Sequence, residues 1–120
     1  SLVAWIAEIH DKGILHQDLN VSNILYKELA NGDFDFQVID NNRMKFSKNP
    51  SMNVRLKNLC RLSVDLELHN YILKQYAQRV QHDCYKTQMK GSFYKLELEY
   101  RQVSKQRIKD IFKKRNSKQT

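Results

Sequence analysis

Only three of the 120 residues are glycine, one is proline and two are cysteine. No apolar run approaches the roughly 20 residues that a membrane-spanning helix needs. Each shortage excludes something. The glycines stand apart at positions 13, 32 and 91, so no glycine-rich loop is present to cradle phosphates. Cys60 and Cys84 lack metal-ligand spacing and cannot make a disulfide framework, which points to a reduced, cytoplasmic setting. There is no signal-peptide pattern, internal repeat or low-complexity segment. The chain opens on Ser1, already inside a helical pattern, and is expected to be a piece of a longer protein.

What is present suits one small domain with a limited core, since 41% of residues are hydrophobic and 28% charged. The net charge of +8 is unevenly placed. Residues 1–44 carry seven acidic against three basic side chains, and residues 45–120 carry six against eighteen. The rear half is therefore expected to face an anionic partner.

Leu2, Trp5, Ile6 and Ile9 recur at helical spacing, with Gly13 as the stop and Trp5 as a packing anchor. Residues 24–29 and 34–39 read as two strands joined by a turn at Ala30-Asn31-Gly32-Asp33. Residues 43–53, which contain Pro50, read as a loop. Helices are expected at 54–62, with Ser51 or Asn53 as cap, and at 65–80, with Leu68, Tyr71, Ile72 and Tyr76 on one face. Residues 82–92 read as a polar connection, 93–114 as a long basic helix, and 115–120 as a frayed end.

The informative stretch is His16-Gln17-Asp18-Leu19-Asn20-Val21-Ser22-Asn23, answered by Asp40 at the end of the second strand. It has the form His-x-Asp-x-x-x-x-Asn plus a later aspartate, the active-site half of a kinase-type phosphotransferase. Phosphoryl transfer needs positioning and charge cancellation more than a covalent nucleophile. Asp18 fits a base that orients the acceptor hydroxyl and takes its proton. Asp40 and Asn23 fit the carboxylate and amide oxygens that hold Mg²⁺ against the phosphates of ATP. His16 is assigned a structural role in holding the loop. The competing reading is an ordinary turn with an incidental aspartate, which the surrounding helix, strands and hairpin disfavour.

With Ile39-Asp40-Asn41-Asn42-Arg43 as its second motif, the chain resembles the lipopolysaccharide kinase (Kdo/WaaP) family over residues 1–80. The basic and apolar stretch Arg55-Leu56-Lys57-Asn58-Leu59-Cys60-Arg61-Leu62 is similar to the helix that follows in that family. The resemblance implies a mostly helical α+β fold, the C-terminal lobe of a protein-kinase-like protein. In that fold a small β-hairpin carries the catalytic and metal-binding loops. Residues 1–92 would form the core, with the catalytic loop at 14–25 and the metal motif at 38–43, and residues 93–120 a basic helix and tail. The implied substrates are ATP, with Mg²⁺, and a sugar hydroxyl of a Kdo and lipid A type glycolipid. Arg43 either helps place substrate or pairs with a carboxylate of the loop.

Several departures from protein kinases favour a small acceptor over a peptide. Asn41-Asn42 follows Asp40 where Phe-Gly would stand, and Asn20 replaces a phosphate-directed lysine. No Ala-Pro-Glu motif or long activation loop follows. The fold's glycine-rich loop and strand lysine belong to an N-terminal lobe that this sequence lacks, so the chain alone is expected to be inactive. Rival readings are an aminoglycoside- or choline-kinase-like enzyme and a pseudokinase or binding module. His10, His69 and His82 lack paired metal spacing and read as ordinary, and Arg55 and Arg61 as solvated or packing residues. The tail cations Lys105, Arg107, Lys109, Lys113, Lys114, Arg115 and Lys118 read first as a solvated face. The sharper reading is contact with an anionic inner-membrane surface of a Gram-negative bacterium. Nucleic acid ranks below both, because no recognition motif accompanies the charge.

Overall fold

The computed structural model describes residues 1–63 and 65–118. The chain is α+β and mostly helical: α1 (Leu2–Asp11), β1 (Ile14–His16), β2 (Ile24–Glu28), β3 (Phe34–Val38), β4 (Met44–Phe46), α2 (Met52–Leu59), α3 (Leu66–Val80) and α4 (Cys84–Lys118). Among the described residues, no helix is long and apolar enough to cross a membrane.

Helix α1 starts where Ser1 Oγ accepts from the Ala4 amide, and it buries Val3, Ile6, Ala7 and His10. Gly13 ends it with φ +78°, donating its amide to the His10 carbonyl. An added Cβ there would also strike the Ser47 carbonyl, so only glycine fits. β1 follows at once and pairs antiparallel with β4, His16 opposite Met44. That strand lies inside the segment expected to be loop. Three residues with no marked alternation carry little local signal, and their pairing partner is 30 positions away.

β2 and β3 form the expected hairpin, with Ile24 opposite Val38 and Glu28 opposite Phe34. Gly32, at φ +86°, makes the turn. Trp5 leans on Phe36, ring centroids 5.7 Å apart, and ties the hairpin to α1.

One expected helix shifts, and another stands where expected but turns a different face inward. α2 begins at Met52 under a Ser51 cap and ends at Leu59, earlier than expected at both ends. α3 is capped by Asp65, and its buried residues are His69, Leu73, Tyr76 and Ala77. Leu68 and Tyr71, expected on the inward face, are exposed. The inward stripe includes a histidine and an alanine, which hydropathy undervalues.

The largest correction concerns residues 82–92. Helix α4 begins at Cys84, with the Asp83 carboxylate accepting from the Lys86 amide, and runs unbroken past residue 93. Its first turns bury Thr87, Gly91 and Lys95, so no apolar period announces them. Gly91 lets α4 close on α3: a Cβ there would sit 2.5 Å from Leu73 Cδ2. Residues 115–118 continue the helix, where a frayed end was expected. The Lys118 side chain and residues 119–120 lie outside the described part. At about 1.5 Å per residue, 35 residues span about 50 Å. That matches the long axis of a molecule measuring 61 × 33 × 28 Å.

The core joins Ile6 and Ala7 of α1, Leu56 and Leu59 of α2, and Leu73 and Tyr76 of α3. Leu19, only 1% exposed, adds the loop between β1 and β2 to that core.

Candidate active site

Burying Leu19 pins the loop and leaves its polar neighbours to one another. Asp18 Oδ1 accepts from Asn20 Nδ2 at 3.0 Å, and Oδ2 accepts from Asn23 Nδ2 at 3.2 Å. Asn23 Nδ2 also donates to the Asp18 carbonyl at 2.8 Å. Asn20 Oδ1 in turn accepts from the Ser22 amide and hydroxyl, capping a short 3-10 turn over Val21–Asn23. The five-residue spacing of Asp18 and Asn23 is thus closed by direct contact.

His16 joins this loop to the end of β3. Its ring is fully buried; Nδ1 accepts from the Asp18 amide at 3.1 Å, while Nε2 faces the Ile39 and Asp40 carbonyls at 2.9 and 3.1 Å. A backbone amide can only donate and a carbonyl can only accept, so the ring is neutral with its proton on Nε2. Asp40 adopts φ +64°, a left-handed conformation that aspartate tolerates better than most residues, at a cost of about 1 kcal/mol. The His16 bond helps hold it there. Ile39 donates its amide to the Asn23 carbonyl at 2.9 Å, which brings the Asp40 turn beside Asn23.

Arg43 Nε stands 4.0 Å from Asp40 Oδ2 with both side chains largely exposed, a pair worth under about 1 kcal/mol. Its backbone carbonyl accepts from the Gln17 amide at 2.8 Å. The structure therefore brings Asp18, Asn23, Asp40, His16 and Arg43 into one place. Residues 1–80 match the lipopolysaccharide kinase (Kdo/WaaP) family.

The chain belongs to that family. No curated protein and no solved structure matches it. The Kdo/WaaP family is a kinase family, which implies use of ATP.

Sequence reasoning missed the supports beneath this loop. Asn58 Nδ2 donates to the His16 carbonyl at 2.7 Å, and Asn58 Oδ1 lies 2.8 Å from His10 Nε2. His10 Nδ1 lies 2.7 Å from the Tyr76 hydroxyl, and Arg55 Nη1 reaches that hydroxyl at 3.5 Å and Asp11 Oδ1 at 2.7 Å. Burial lowers the His10 pKa below the usual histidine range, and the Arg55 charge adds to this against the opposing Asn58 bond. Contacts spanning 42 to 66 positions leave no local pattern to read.

Beside the loop, a cavity of about 240 Å³ opens between Asn20, Arg61 and α4. Its floor is Lys95, buried and donating to the Cys60 and Ser63 carbonyls, with Glu99 at 3.5 Å. Cavities of about 440 and 460 Å³ lie near Arg79 and Met89, and Asp18 lines neither. Burial pushes the Cys60 thiol up to about 11, leaving it unreactive as a nucleophile.

Proposed function

We propose that this chain carries the catalytic half of a protein-kinase-like phosphotransferase that moves the γ-phosphoryl group of ATP to a sugar hydroxyl of the lipopolysaccharide inner core. One observation carries the reading. A single buried imidazole, His16, holds the backbone of Asp18 at one ring nitrogen and that of Asp40 at the other.

Asn23 and Asp40 suit Mg²⁺. Because Asn23 Nδ2 is spent on Asp18, its Oδ1 is left without a hydrogen bond among the described residues. The described residues contain no group of three or more His, Cys, Asp or Glu that could hold a metal ion. Two hard oxygen ligands, completed by phosphate and water, are what Mg²⁺ commonly takes in phosphotransferases. When bound there, the ion supplies neutralisation of phosphate charge.

The chain's own part is positioning. Asp18, clamped by two amide donors, faces the acceptor hydroxyl and takes its proton as the hydroxyl oxygen bonds to the γ-phosphorus. The bond from that phosphorus to the bridging oxygen breaks, and ADP leaves. Arg43 adds only a weak attraction at the Asp40 carboxylate. No glycine-rich loop is present in this sequence, so the phosphates need a cradle beyond it, and the chain by itself is expected not to turn over.

The row Arg101, Lys105, Lys109 and Lys113 repeats every four residues along α4. Arg101 already pairs with Glu97 at 3.7 Å, but like charges at that spacing among Lys105, Lys109 and Lys113 are unfavourable, by roughly 0.2–0.5 kcal/mol per pair, and an anionic surface relieves them. On this reading the acceptor is met at the cytoplasmic face of the inner membrane, with the row drawn to acidic lipid. Sedimentation with phosphatidylglycerol vesicles, but not phosphatidylcholine vesicles, is the expected result. The acceptor itself is tested with labelled ATP against Kdo–lipid A, an aminoglycoside and choline. Transfer to Kdo–lipid A alone supports the proposal. Transfer to either of the others moves the enzyme to another small-molecule class.

A further inference from the structure

We infer that Asn58 and His10 are positioning residues for the catalytic loop. Acting through a one-way chain of hydrogen bonds, they fix the peptide from which Asp18 hangs.

The His16 carbonyl fixes the Asn58 amide and with it the His10 Nε2 proton, and burial, which disfavours a second proton on the ring, leaves His10 Nδ1 to accept from Tyr76. The Arg55 guanidinium can only donate, and the His16 carbonyl can only accept. Between them, Arg55 donates to the Tyr76 oxygen, Tyr76 to His10 Nδ1, His10 Nε2–H to Asn58 Oδ1, and Asn58 Nδ2–H to His16. Turning the Asn58 amide over would put its oxygen 2.7 Å from the His16 carbonyl, acceptor against acceptor. His10 prevents that turn, since its Nε2 proton needs the Asn58 oxygen where it is. His10 and Tyr76 are fully buried, so water cannot substitute for either partner.

The effect reaches Asp18 because His16 is held twice. Asn58 fixes its carbonyl, while its ring accepts from the Asp18 amide and donates to the Ile39 and Asp40 carbonyls. Losing the Asn58 bond leaves the His16–Gln17 peptide held only at its other end, by the Gln17 amide's bond to the Arg43 carbonyl, so the peptide can tilt about that bond and the ring that spaces Asp18 from Asp40 tilts with it. Displacements near 1 Å at a reacting group can cost about a hundredfold in rate.

For its effect on rate this inference rests on the phosphotransferase reading; for its hydrogen-bond chain it does not. Two measurements on the full-length gene product keep the two separate. Long-range ¹H–¹⁵N spectra at pH 7 report the ring protons directly, and His10 should be neutral with the proton on Nε2. A proton on His10 Nδ1, alone or with Nε2, overturns the chain whatever the protein catalyses. The second measurement is Asn58→Asp, which keeps the shape and removes the donor. Its kcat with Kdo–lipid A should fall about tenfold to a hundredfold, with the ATP KM within twofold. A folded Asn58→Asp variant with unchanged kcat overturns the inference. So does a loss no greater than that of Leu73→Val, a core variant that serves as the stability control. If the parent protein transfers no phosphate, the functional reading fails, and the histidine spectra alone decide the positioning chain.

Discussion

His69 offers the sharpest test of the core. It is 0% exposed on α3, and neither ring nitrogen has a hydrogen-bond partner among the described residues. Burial, with the Lys95 ammonium adding repulsion, lowers its pKa from 6.5 to about 4. The unfolded chain therefore takes up a proton at this residue below pH 6.5, and the folded protein resists until about pH 4. Its contribution is complete above pH 6.5 and drains away as the pH falls through that window. Each pH unit across the window is worth about 1.4 kcal/mol, so about 3 kcal/mol should be lost by pH 4. His10, facing Arg55, Asp11 and Tyr76, has its pKa lowered too, chiefly by burial. The comparison must therefore be between the parent and His69→Leu. The variant removes two unpaired polar atoms and should gain about 1–3 kcal/mol at pH 7. Urea melts at half-unit steps from pH 7 to 4.5 should show the two stability curves diverging as the pH falls. Parallel curves would refute the reasoning, because they would mean that His69 is solvated or paired.

Other predictions follow from single contacts. Gly91→Ala, normally favourable in a helix by about 1 kcal/mol, should instead destabilise by about 1–3 kcal/mol through overlap with Leu73, as read by thermal melting. Iodoacetamide at pH 8 should label Cys84 and spare the buried Cys60, as mass spectrometry of the digest would show; equal labelling would contradict the packing of α2. Asp40→Ala should weaken Mg-ATP binding of the full-length protein by at least about tenfold in calorimetry while leaving Mg-free nucleotide binding little changed.

The contacts of the proposed catalytic loop were legible because they are local. His16, Asp18 and Asn23 lie within eight positions and contact one another. The hairpin was equally plain, since Asn31-Gly32 lies between two apolar runs that pair in the expected order. What stayed hidden depends on distance or on small and polar residues. β4 exists only because β1 needs an edge to pair with. The first turns of α4 pack through Thr87, Gly91 and Lys95, none of which looks like core in a sequence. His10 looks unremarkable until α2 and α3 bring Asn58 and Tyr76 to its two nitrogens.

The most direct test of the proposed chemistry is phosphate transfer from labelled ATP to Kdo–lipid A by the full-length protein, with and without Asp18→Asn. Asparagine keeps the shape of the side chain and cannot take the hydroxyl proton. The parent should transfer phosphate, and the variant should lose about 10²–10⁴-fold in rate while its Mg-ATP affinity stays within twofold of the parent. Undiminished transfer by Asp18→Asn would contradict the role of Asp18 as the base.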